Sequence, residues 1–366
     1  MFYKELDRTV FSSLFLFLLF SIFTIVTAQT HPEKILLKNY KPRSVYKIPR
    51  TEIKKARFPV IDMHSHPYAK GDAQIDQWIK NMDQVGIEKT VILTAATGAK
   101  FDSIYAKYAG RYPDRFEVWC GFDYTGYDKP GYGPAAIAEL ERCVKTGARG
   151  VGELGDKGKG LFYCTPKAWG MHLDDPRMDP LLKKCAELGL PINIHVAEPI
   201  WMYLAMDSTN DGLMNAYEWR LDDKPDIVDH SGMIDILERA VKKHPETIFI
   251  ACHFANCCYD LNKLGGLFDK YSNLYADIGA RYAETAPIPR FVANFFEKYQ
   301  DRLVYGTDMG FDTDMYQITF RILESTDEHF YETEQFGYHW ALNGFGLSDK
   351  ILEKLYRSNA LKIMKR

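Results

Sequence analysis

The chain has 366 residues, a formal net charge of −3 and an isoelectric point near 6.4. Hydrophobic residues make up 46% of the chain and charged residues 26%, a balance typical of a globular protein with a substantial core rather than of a disordered chain. A slightly acidic chain lacks the basic surface that nucleic acid requires. We therefore predict a small-molecule substrate and no nucleic-acid partner.

The first 28 residues have the pattern of a signal peptide. Lys4 and Arg8 precede an apolar run from Phe11 to Val26, and small residues suitable for cleavage follow before Gln29. The pattern predicts export, to the periplasm or the cell exterior. An uncleaved N-terminal membrane anchor is the alternative, and it would be the only part of the chain in contact with a membrane.

Residues 29–57 are rich in Lys and Arg and contain Pro42 and Pro49, so we predict a basic N-terminal arm or linker. Residues 58–366 are predicted to form a single domain. The seven cysteines are too few for a disulfide scaffold and lack the spacing of a zinc ribbon, so most are predicted to be buried thiols. The sequence leaves disulfide pairing and a homo-oligomer open.

Eight short runs of β-branched and apolar residues alternate with helix-like stretches through this domain. Helical spacing ends at a glycine in two clear cases, before Gly86 and before Gly189. Eight βα units in about 300 residues predict an α/β fold, the (β/α)₈ TIM barrel, rather than an open sheet. The predicted strands are Val60–His64, Thr90–Ala95, Phe116–Phe122, Ala148–Leu154, Pro191–Val196, Thr247–His253, Asn273–Ile278 and Arg302–Thr307.

Two connections are long, Asp156–Pro180 after the fourth strand and Glu198–Ser231 after the fifth. Both are predicted to leave the C-terminal face of the barrel, where active-site loops lie. Several aromatic residues fall in the segments between predicted strands and helices, either over a pocket or simply as loop packing: Trp169, Trp201, Tyr203, Tyr217, Trp219 and Trp340.

Six side chains of metal-binding type stand at the C-terminal ends of the predicted strands. His64 and His66 share one side of the first strand, and the others end the fourth, fifth, sixth and eighth strands: Glu153, His195, His253 and Asp308. Because these ends meet at one mouth in a closed parallel barrel, we predict that the six residues converge on one or two divalent metals. Nitrogen and oxygen ligands favour Zn²⁺, with Mn²⁺ and Fe²⁺ as alternatives. Cys252 is expected to face away from His253.

The position of Glu153 allows a two-metal arrangement. Its carboxylate could bridge two cations, one held by His64, His66 and Asp308 and the other by His195 and His253. Such a pair of metals activates water for attack on a substrate.

Charged residues just beyond the strands are candidates for substrate binding. Lys157, Lys159 and Arg281 could pair with an anionic group of the substrate, and Glu198 could orient His195 or contact the substrate. The alternatives are solvated loop charges for the cations and a loop hydrogen bond for Glu198.

These motifs resemble those of the amidohydrolase superfamily of metal-dependent barrel enzymes. Within it the chain is most similar to the amidohydrolase-related group that includes aminocarboxymuconate-semialdehyde decarboxylase. The resemblance is carried by Asp62-Met63-His64-Ser65-His66-Pro67, Val85-Gly86-Ile87, the single histidines His195 and His253, Tyr305-Gly306-Thr307-Asp308 and the closing Asn359-Ala360-Leu361.

Membership of that group implies a single metal held by His64, His66, His195 and Asp308, with His253 free to act on the substrate. Glu153 departs from this pattern. It is similar to the bridging carboxylate of binuclear hydrolases in the phosphotriesterase-like branch, so the resemblance leaves one or two metals open.

We predict a metal-dependent hydrolase that cleaves a C–N or C–O bond in a small amide, ester or lactone. Asp308 would accept the proton of the attacking water, and His253 would bind a second metal or polarise the substrate carbonyl, so both are predicted to be catalytic. The main alternative is a metal-dependent, non-oxidative decarboxylase. A second alternative is an exported binding protein without catalytic activity, which would not need all six metal-binding residues.

Overall fold

The computed structural model describes residues 31–365. The predicted signal peptide at residues 1–28 lies outside the described residues, so export remains a prediction. Residues 31–42 form a unit of their own that contains two short 3₁₀ turns, Pro32–Lys34 and Leu37–Asn39, with exposed side chains. Along residues 31–365, no helix is long and apolar enough to cross a membrane.

Eight parallel strands form the centre of the second unit, which begins at Arg43. The first three pair in chain order, and the remaining five pair in chain order as a second run. We label them β1 Val60–Ser65, β2 Ile87–Leu93, β3 Phe116–Trp119, β4 Val151–Asp156, β5 Ile192–Val196, β6 Phe249–Ala251, β7 Leu274–Asp277 and β8 Leu303–Val304.

Two seams join these runs into a ring. Cys120, just beyond β3, forms a parallel bridge with Val151 at the start of β4. On the other side, the Met63 N–H in β1 donates to the carbonyl oxygen of Tyr305, just past β8, at 2.9 Å. The strands therefore form the (β/α)₈ barrel that the sequence predicted.

Helices connect the strands as predicted. The glycines predicted to end two of them adopt left-handed conformations there, with φ of 89° at Gly86 and 66° at Gly189. The longer helices are Asp72–Val85, Gly98–Lys107, Pro134–Thr146, Asp179–Leu188, His230–Lys243, Leu261–Lys270, Pro289–Lys298 and Thr313–Glu324. The shorter ones are Leu213–Ala216, Tyr282–Thr285, Asp349–Glu353 and Asn359–Ile363, with a π-helical turn at Lys354–Ser358.

The long connection after β4 carries a small antiparallel hairpin, with strands Gly160–Leu161 and Ala168–Trp169. The long connection after β5 contains 3₁₀ turns at Ile200–Met202 and Tyr217–Trp219. Both connections follow the C-terminal ends of their strands, as the sequence predicted, and both contribute residues to the cavity described below.

The last helix covers the N-terminal end of the barrel. Ala360 and Ile363 pack in one apolar cluster with Ile61 and Met63 of β1 and other strand residues. Asn359 fixes this helix, because its side-chain amide donates to the carbonyl oxygens of Gln300 at 2.7 Å and Leu303 at 2.8 Å. The Asn-Ala-Leu motif of the sequence therefore joins the end of the chain to the start of β8.

Replacing Asn359 with Ala should leave two carbonyl oxygens without their donor in a buried position. We expect Asn359→Ala to lower the free energy of unfolding by about 1–3 kcal/mol. Chemical denaturation monitored by circular dichroism measures this change. Ser358→Ala, at the exposed neighbouring position, is the control and should stay within about 0.5 kcal/mol of the parent. Equal midpoints for the two variants would contradict the assigned role of Asn359.

Candidate metal centre

The backbone turns sharply at the C-terminal ends of several strands. Ala197 after β5, Ala280 after β7 and Asp308 after β8 have φ of 60°, 54° and 56°. After β6, the four residues His253–Asn256 all have positive φ, from 61° to 54°. Left-handed geometry costs roughly 1–2 kcal/mol for each non-glycine residue, and it persists where the surrounding structure holds the backbone, often at functional sites.

The turn after β6 corrects the prediction that Cys252 faces away from His253. The predicted strand extends to His253, whereas β6 ends at Ala251. The His253 N–H donates to a side-chain oxygen of Asp277 in β7, at 3.0 Å, and not to a backbone carbonyl oxygen of that strand. Side chains no longer alternate once the strand has ended. The Cys252 thiol therefore lies in the same group of potential ligand atoms as His64, Glu153 and His253.

Three of the four mouth histidines are held through Nδ1. His64 Nδ1 lies 2.8 Å from the carboxylate of Asp277, His66 Nδ1 lies 3.0 Å from the carbonyl oxygen of Leu93, and His253 Nδ1 lies 2.8 Å from that of Gly279. An Nδ1–H that donates to an oxygen leaves Nε2 as the free nitrogen. All three histidines therefore present Nε2 to one shared space, the arrangement found in metal-binding histidines.

His195 takes the opposite orientation. Its Nε2 lies 2.9 Å from the carbonyl oxygen of Ala197, and its Nδ1 lies 2.9 Å from Glu153 Oε1. In this conformation His195 presents Nδ1 to the cluster and is engaged by Glu153. The left-handed backbone at Ala197 brings that carbonyl oxygen back towards the imidazole.

Glu153 and Asp308 lie among these imidazoles. Glu153 is 3.4 Å from His66 Nε2, 3.6 Å from His253 Nε2 and 3.9 Å from His64 Nε2, in addition to its contact with His195. Asp308 is 3.0 Å from His66 Nε2, 3.4 Å from His64 Nε2 and 3.7 Å from His253 Nε2. The structure thus brings all six residues singled out from the sequence into one cluster.

The two carboxylates strongly favour positive charge between them. Burial opposes ionisation of both, but the neighbouring imidazoles outweigh it and hold the pKa of Glu153 and of Asp308 well below the usual range. Burial likewise lowers the pKa of His64, yet Asp277, Asp308 and Glu153 more than compensate and raise it to about 10. A divalent cation in contact with Nε2 would supply that positive charge in place of the proton.

The donor atoms fit a divalent metal. Within the described residues, two compact groups have their ligand atoms within 4.8 Å of one another: His64, His66 and Asp308, and His64, Glu153, Cys252 and His253. Both include His64, whose Nε2 is buried without a hydrogen-bond partner. A buried nitrogen aimed at two carboxylates and lacking a partner is unusual unless it binds a ligand. The site therefore suits one divalent cation, or two that share this space.

Sequence reasoning missed the groups that hold these ligands. Asp277 is fully buried on β7 and accepts from His64, from the His253 N–H and from the Asn193 amide. The Cys252 thiol in turn lies 2.8 Å from Asn193 Oδ1, and burial raises its pKa well above the usual value, so it is a neutral thiol here. A carboxylate at the end of a strand otherwise composed of apolar residues was the signal that could have identified Asp277.

A cavity of about 390 Å³ lies next to the metal-ligand cluster. Of the predicted substrate-binding residues, Lys157, Glu198 and Arg281 line it, whereas Lys159 lies outside it. Lys157 forms an ion pair with Glu198, which is also 3.6 Å from His195 Nε2. Burial alone would raise the pKa of Glu198, but His195, Lys157 and Arg281 outweigh this effect and lower it to about 2.

Arg281 is buried beside the cavity and is held firmly. Two of its nitrogens donate to Asn256 Oδ1, at 2.9 Å and 2.7 Å, and its Nε lies 3.4 Å from Glu284. The cavity is lined by four carboxylates and two cations, a net charge of −2 with neutral imidazoles. Metal binding requires neutral imidazoles, and one divalent cation would then offset this negative charge for an anionic substrate.

Comparison with solved structures supports the fold. The chain is similar to 2,6-dihydroxybenzoate decarboxylase from Rhizobium, with 17% identity, a TM-score of 0.54, and coverage of 84% of this chain and 99% of the other. It is also similar to a Staphylococcus aureus protein described as an amidohydrolase, with 16% identity, a TM-score of 0.55, and coverage of 84% and 100%. These identities are low enough that the likeness concerns the fold alone.

A third similar structure contains a metal. It is the 5-carboxyvanillate decarboxylase from Novosphingobium aromaticivorans, complexed with manganese and 4-hydroxy-3-methoxy-5-nitrobenzoic acid, with 16% identity, a TM-score of 0.50, and coverage of 86% and 99%. No curated protein matches the chain significantly. The family model described as "Amidohydrolase" matches residues 50–366, which include the whole of the barrel domain and the last residues of the arm. The chain therefore belongs to the amidohydrolase family, as the sequence motifs had indicated.

Proposed function

We propose that the chain is a metal-dependent, non-oxidative decarboxylase of a small carboxylic acid. The observation that carries the proposal is the cluster of inward-facing imidazole nitrogens around Asp308 and Glu153, beside a cavity that is also lined by the cations Arg281 and Lys157. Two of the similar structures are decarboxylases, and one of those is complexed with manganese and an aromatic acid. These likenesses favour decarboxylation over the hydrolysis that the sequence first suggested.

We assign the metal to His64, His66 and Asp308, which hold three donor atoms on one side of the cluster. The choice of Zn²⁺, Mn²⁺ or Fe²⁺ remains open, because all three accept imidazole and carboxylate ligands. A divalent cation bound there would act as a Lewis acid towards the oxygens of a carboxylate substrate. Asp277, through its bond to His64 Nδ1, would fix the orientation of that imidazole.

Decarboxylation also requires a proton donor, and side chains beside the metal-ligand cluster would supply it. When CO₂ leaves, the electron pair of the broken C–C bond stays on the substrate carbon, which must take up a proton. His253 lines the cavity, with Nδ1 on the Gly279 carbonyl and Nε2 3.7 Å from Asp308 Oδ2. We assign the delivery of this proton to His253, whose pKa is lowered by burial and by Arg281 although Glu153 and Asp308 act in the opposite direction, so its charged form readily gives up a proton. Arg281 and Lys157, which line the same cavity, would hold anionic groups of the substrate.

Hydrolysis of an amide, ester or lactone remains the second candidate, and the position of Glu153 favours it. Glu153 lies within 3.9 Å of an imidazole nitrogen from each of the four histidines, where a carboxylate shared by two cations would lie. In that reaction Asp308 would accept a proton from the attacking water. The number of metals therefore separates the two candidates.

The reaction is tested by incubating metal-replete protein with a panel of small aromatic and unsaturated carboxylic acids, and with matched amides, esters and lactones. We expect CO₂ release from at least one acid, its loss after chelation, and its recovery on adding Mn²⁺ or Zn²⁺. Hydrolysis products without CO₂ would replace the proposal with the hydrolase. Absence of both, with a ligand still bound, would indicate the exported binding protein considered from the sequence.

Asp308→Asn keeps the shape of the side chain and removes its charge from both the metal and His253. We expect turnover to fall by at least about 100-fold, with an unchanged circular dichroism spectrum, because both Lewis acid and proton transfer are impaired. Asp312→Asn, just past the mouth and before the next helix, is the control and should keep full activity. An Asp308→Asn variant as active as the parent would remove Asp308 from the assigned chemistry.

Metal content distinguishes one metal from two. We expect one equivalent per chain in the parent, and we expect Glu153→Gln to retain it, because the assigned ligands do not include Glu153. Elemental analysis after removal of free metal makes the measurement. Glu284→Gln, which changes another buried carboxylate of the same cavity, is the control and should also keep one equivalent. Two equivalents in the parent, both lost in Glu153→Gln, would favour the binuclear hydrolase.

Asp277 should affect the affinity for the metal without being a ligand itself. Asp277→Asn retains a hydrogen-bonding side chain but no longer holds His64 Nδ1 with a charge. We expect metal affinity to fall about 10–100-fold, the usual effect of changing a group that orients a metal-binding histidine. Competition with a fluorescent chelator measures the affinity, and an affinity equal to that of the parent would argue against His64 as a ligand.

A further inference from the structure

A second cleft, of about 290 Å³, opens beside the cavity of the metal-ligand cluster. The two share three lining residues, Lys157, Glu198 and Trp219, so they adjoin at the Lys157–Glu198 ion pair. We call this second space the aromatic cleft. It is built from the two long connections that follow β4 and β5, the loops in which barrel enzymes place their specificity.

The walls of the aromatic cleft are flat rings. Phe162 and Trp169 stack with centroids 6.2 Å apart and an interplanar angle of 8°. Trp219 lies on the Lys157 side, with its ring centroid 5.4 Å from Lys157 Nζ. Leu221 and Ile227 also line the space. The cleft is therefore largely apolar, in contrast to the cavity next to it, which is lined by four carboxylates and two cations.

The exposure of these rings marks the cleft as a binding surface. Trp169 is 49% exposed and Trp219 is 57% exposed, although both are large apolar side chains that would be stabilised by burial. Aromatic residues grouped around a concave surface on a functional face are typical of sites that bind a flat ligand. Single exposed aromatic residues are ordinary, but here two tryptophans border one cleft that adjoins the metal-ligand cluster.

Charge at the border of the cleft limits what the ligand can be. Lys157 is shared with the main cavity, and Lys159 and Lys224 line the outer part, against Glu198 and Glu218. Glu198 is already engaged by Lys157 and lies near Arg281. The remaining balance favours a ligand that is apolar in the middle and neutral or anionic at its ends.

We propose that the aromatic cleft is the outer half of the substrate site and binds a flat apolar group attached to the reacting carboxylic acid. The reacting carboxylate would lie at the metal-ligand cluster, and the chain of the substrate would pass Lys157 so that a second ring packs against Trp219 and the Phe162–Trp169 pair. The substrate class is then a carboxylic acid with two apolar parts, larger than a single-ring acid. This inference rests on the proposed function, because it requires a carboxylate to bind in the main cavity.

Binding of benzoate and biphenyl-4-carboxylate to the Mn²⁺-loaded chain tests the proposal by calorimetry, without any need for turnover. We expect the two-ring acid to bind at least about tenfold more tightly than benzoate, since burying a further ring between aromatic side chains is worth that much or more. Trp219→Ala and Trp169→Ala should each remove most of the gain, and Trp169→Ala, which changes a residue that lines only the aromatic cleft, should leave benzoate affinity unchanged. Both side chains are partly exposed, so the core stays intact.

Tyr217→Ala is the matched control, because Tyr217 is an aromatic residue of the same loop, 61% exposed, and does not line the cleft. It should keep the full gain for the two-ring acid. The proposal is overturned if the two acids bind alike, including the case in which neither binds, or if the gain survives in both tryptophan variants. Failure of the proposed function is a separate result, seen as absence of CO₂ from every acid while the gain in binding remains.

Discussion

The charge balance between two carboxylates and four imidazoles is the constraint on which the rest of the structure depends. Glu153, which is buried, and Asp308, which is partly buried, remain ionised because the histidine nitrogens face them within 3.9 Å. Such a cluster would be expensive to bury unless every member were fixed, since an unpaired buried charge costs several kcal/mol. Each of the four imidazoles is accordingly held at its other nitrogen by a carboxylate or a carbonyl oxygen.

The strained turns at the barrel mouth supply two of those oxygens. The left-handed residues at Ala197 and Ala280 lie beside the carbonyl groups that engage His195 and His253, and the run His253–Asn256 also places Asn256 against Arg281. The strained backbone therefore helps to orient the imidazoles of His195 and His253 and the guanidinium group of Arg281. The stable barrel, closed at its base by the last helix, offsets the cost of this geometry.

A buried carboxylate also links the backbone at the seam between β1 and β8. Asp62 accepts from the backbone N–H groups of His64 and Thr307 and from the Thr307 hydroxyl at 2.6 Å. Burial raises the pKa of Asp62 to about 7, although these hydrogen bonds act in the opposite direction. The carboxylate therefore joins the strand that carries His64 and His66 to the strand that leads to Asp308.

The polarity of the surface decreases with distance from the metal-ligand cluster. Next to the ligand cluster the cavity is polar and strongly charged, and beyond Lys157 the surface becomes aromatic and largely apolar. A polar reacting end and an apolar remainder of one molecule would match that gradient. The loops after β4 and β5 create it, so specificity can change without altering the barrel.

Much of this could be predicted from the sequence. The period of apolar residues predicted eight strands and their helices, and glycines marked two helix ends. The six residues of the cluster were identified because parallel strand ends must meet at one mouth. Those inferences depend only on local periodicity and on the direction of the strands. The reaction itself stays a proposal, because the same residue types serve several chemistries.

The tertiary structure alone decided the details of the site. Period-two reasoning placed Cys252 away from the cluster, because it assumed a strand where the chain instead turns left-handed after Ala251. The role of Asp277 and the adjoining aromatic cleft were also hidden, since each depends on residues far apart in the chain meeting in space. Sequence determines which side chains reach the barrel mouth, whereas backbone conformation at the strand ends and the packing of two long loops determine where those side chains point.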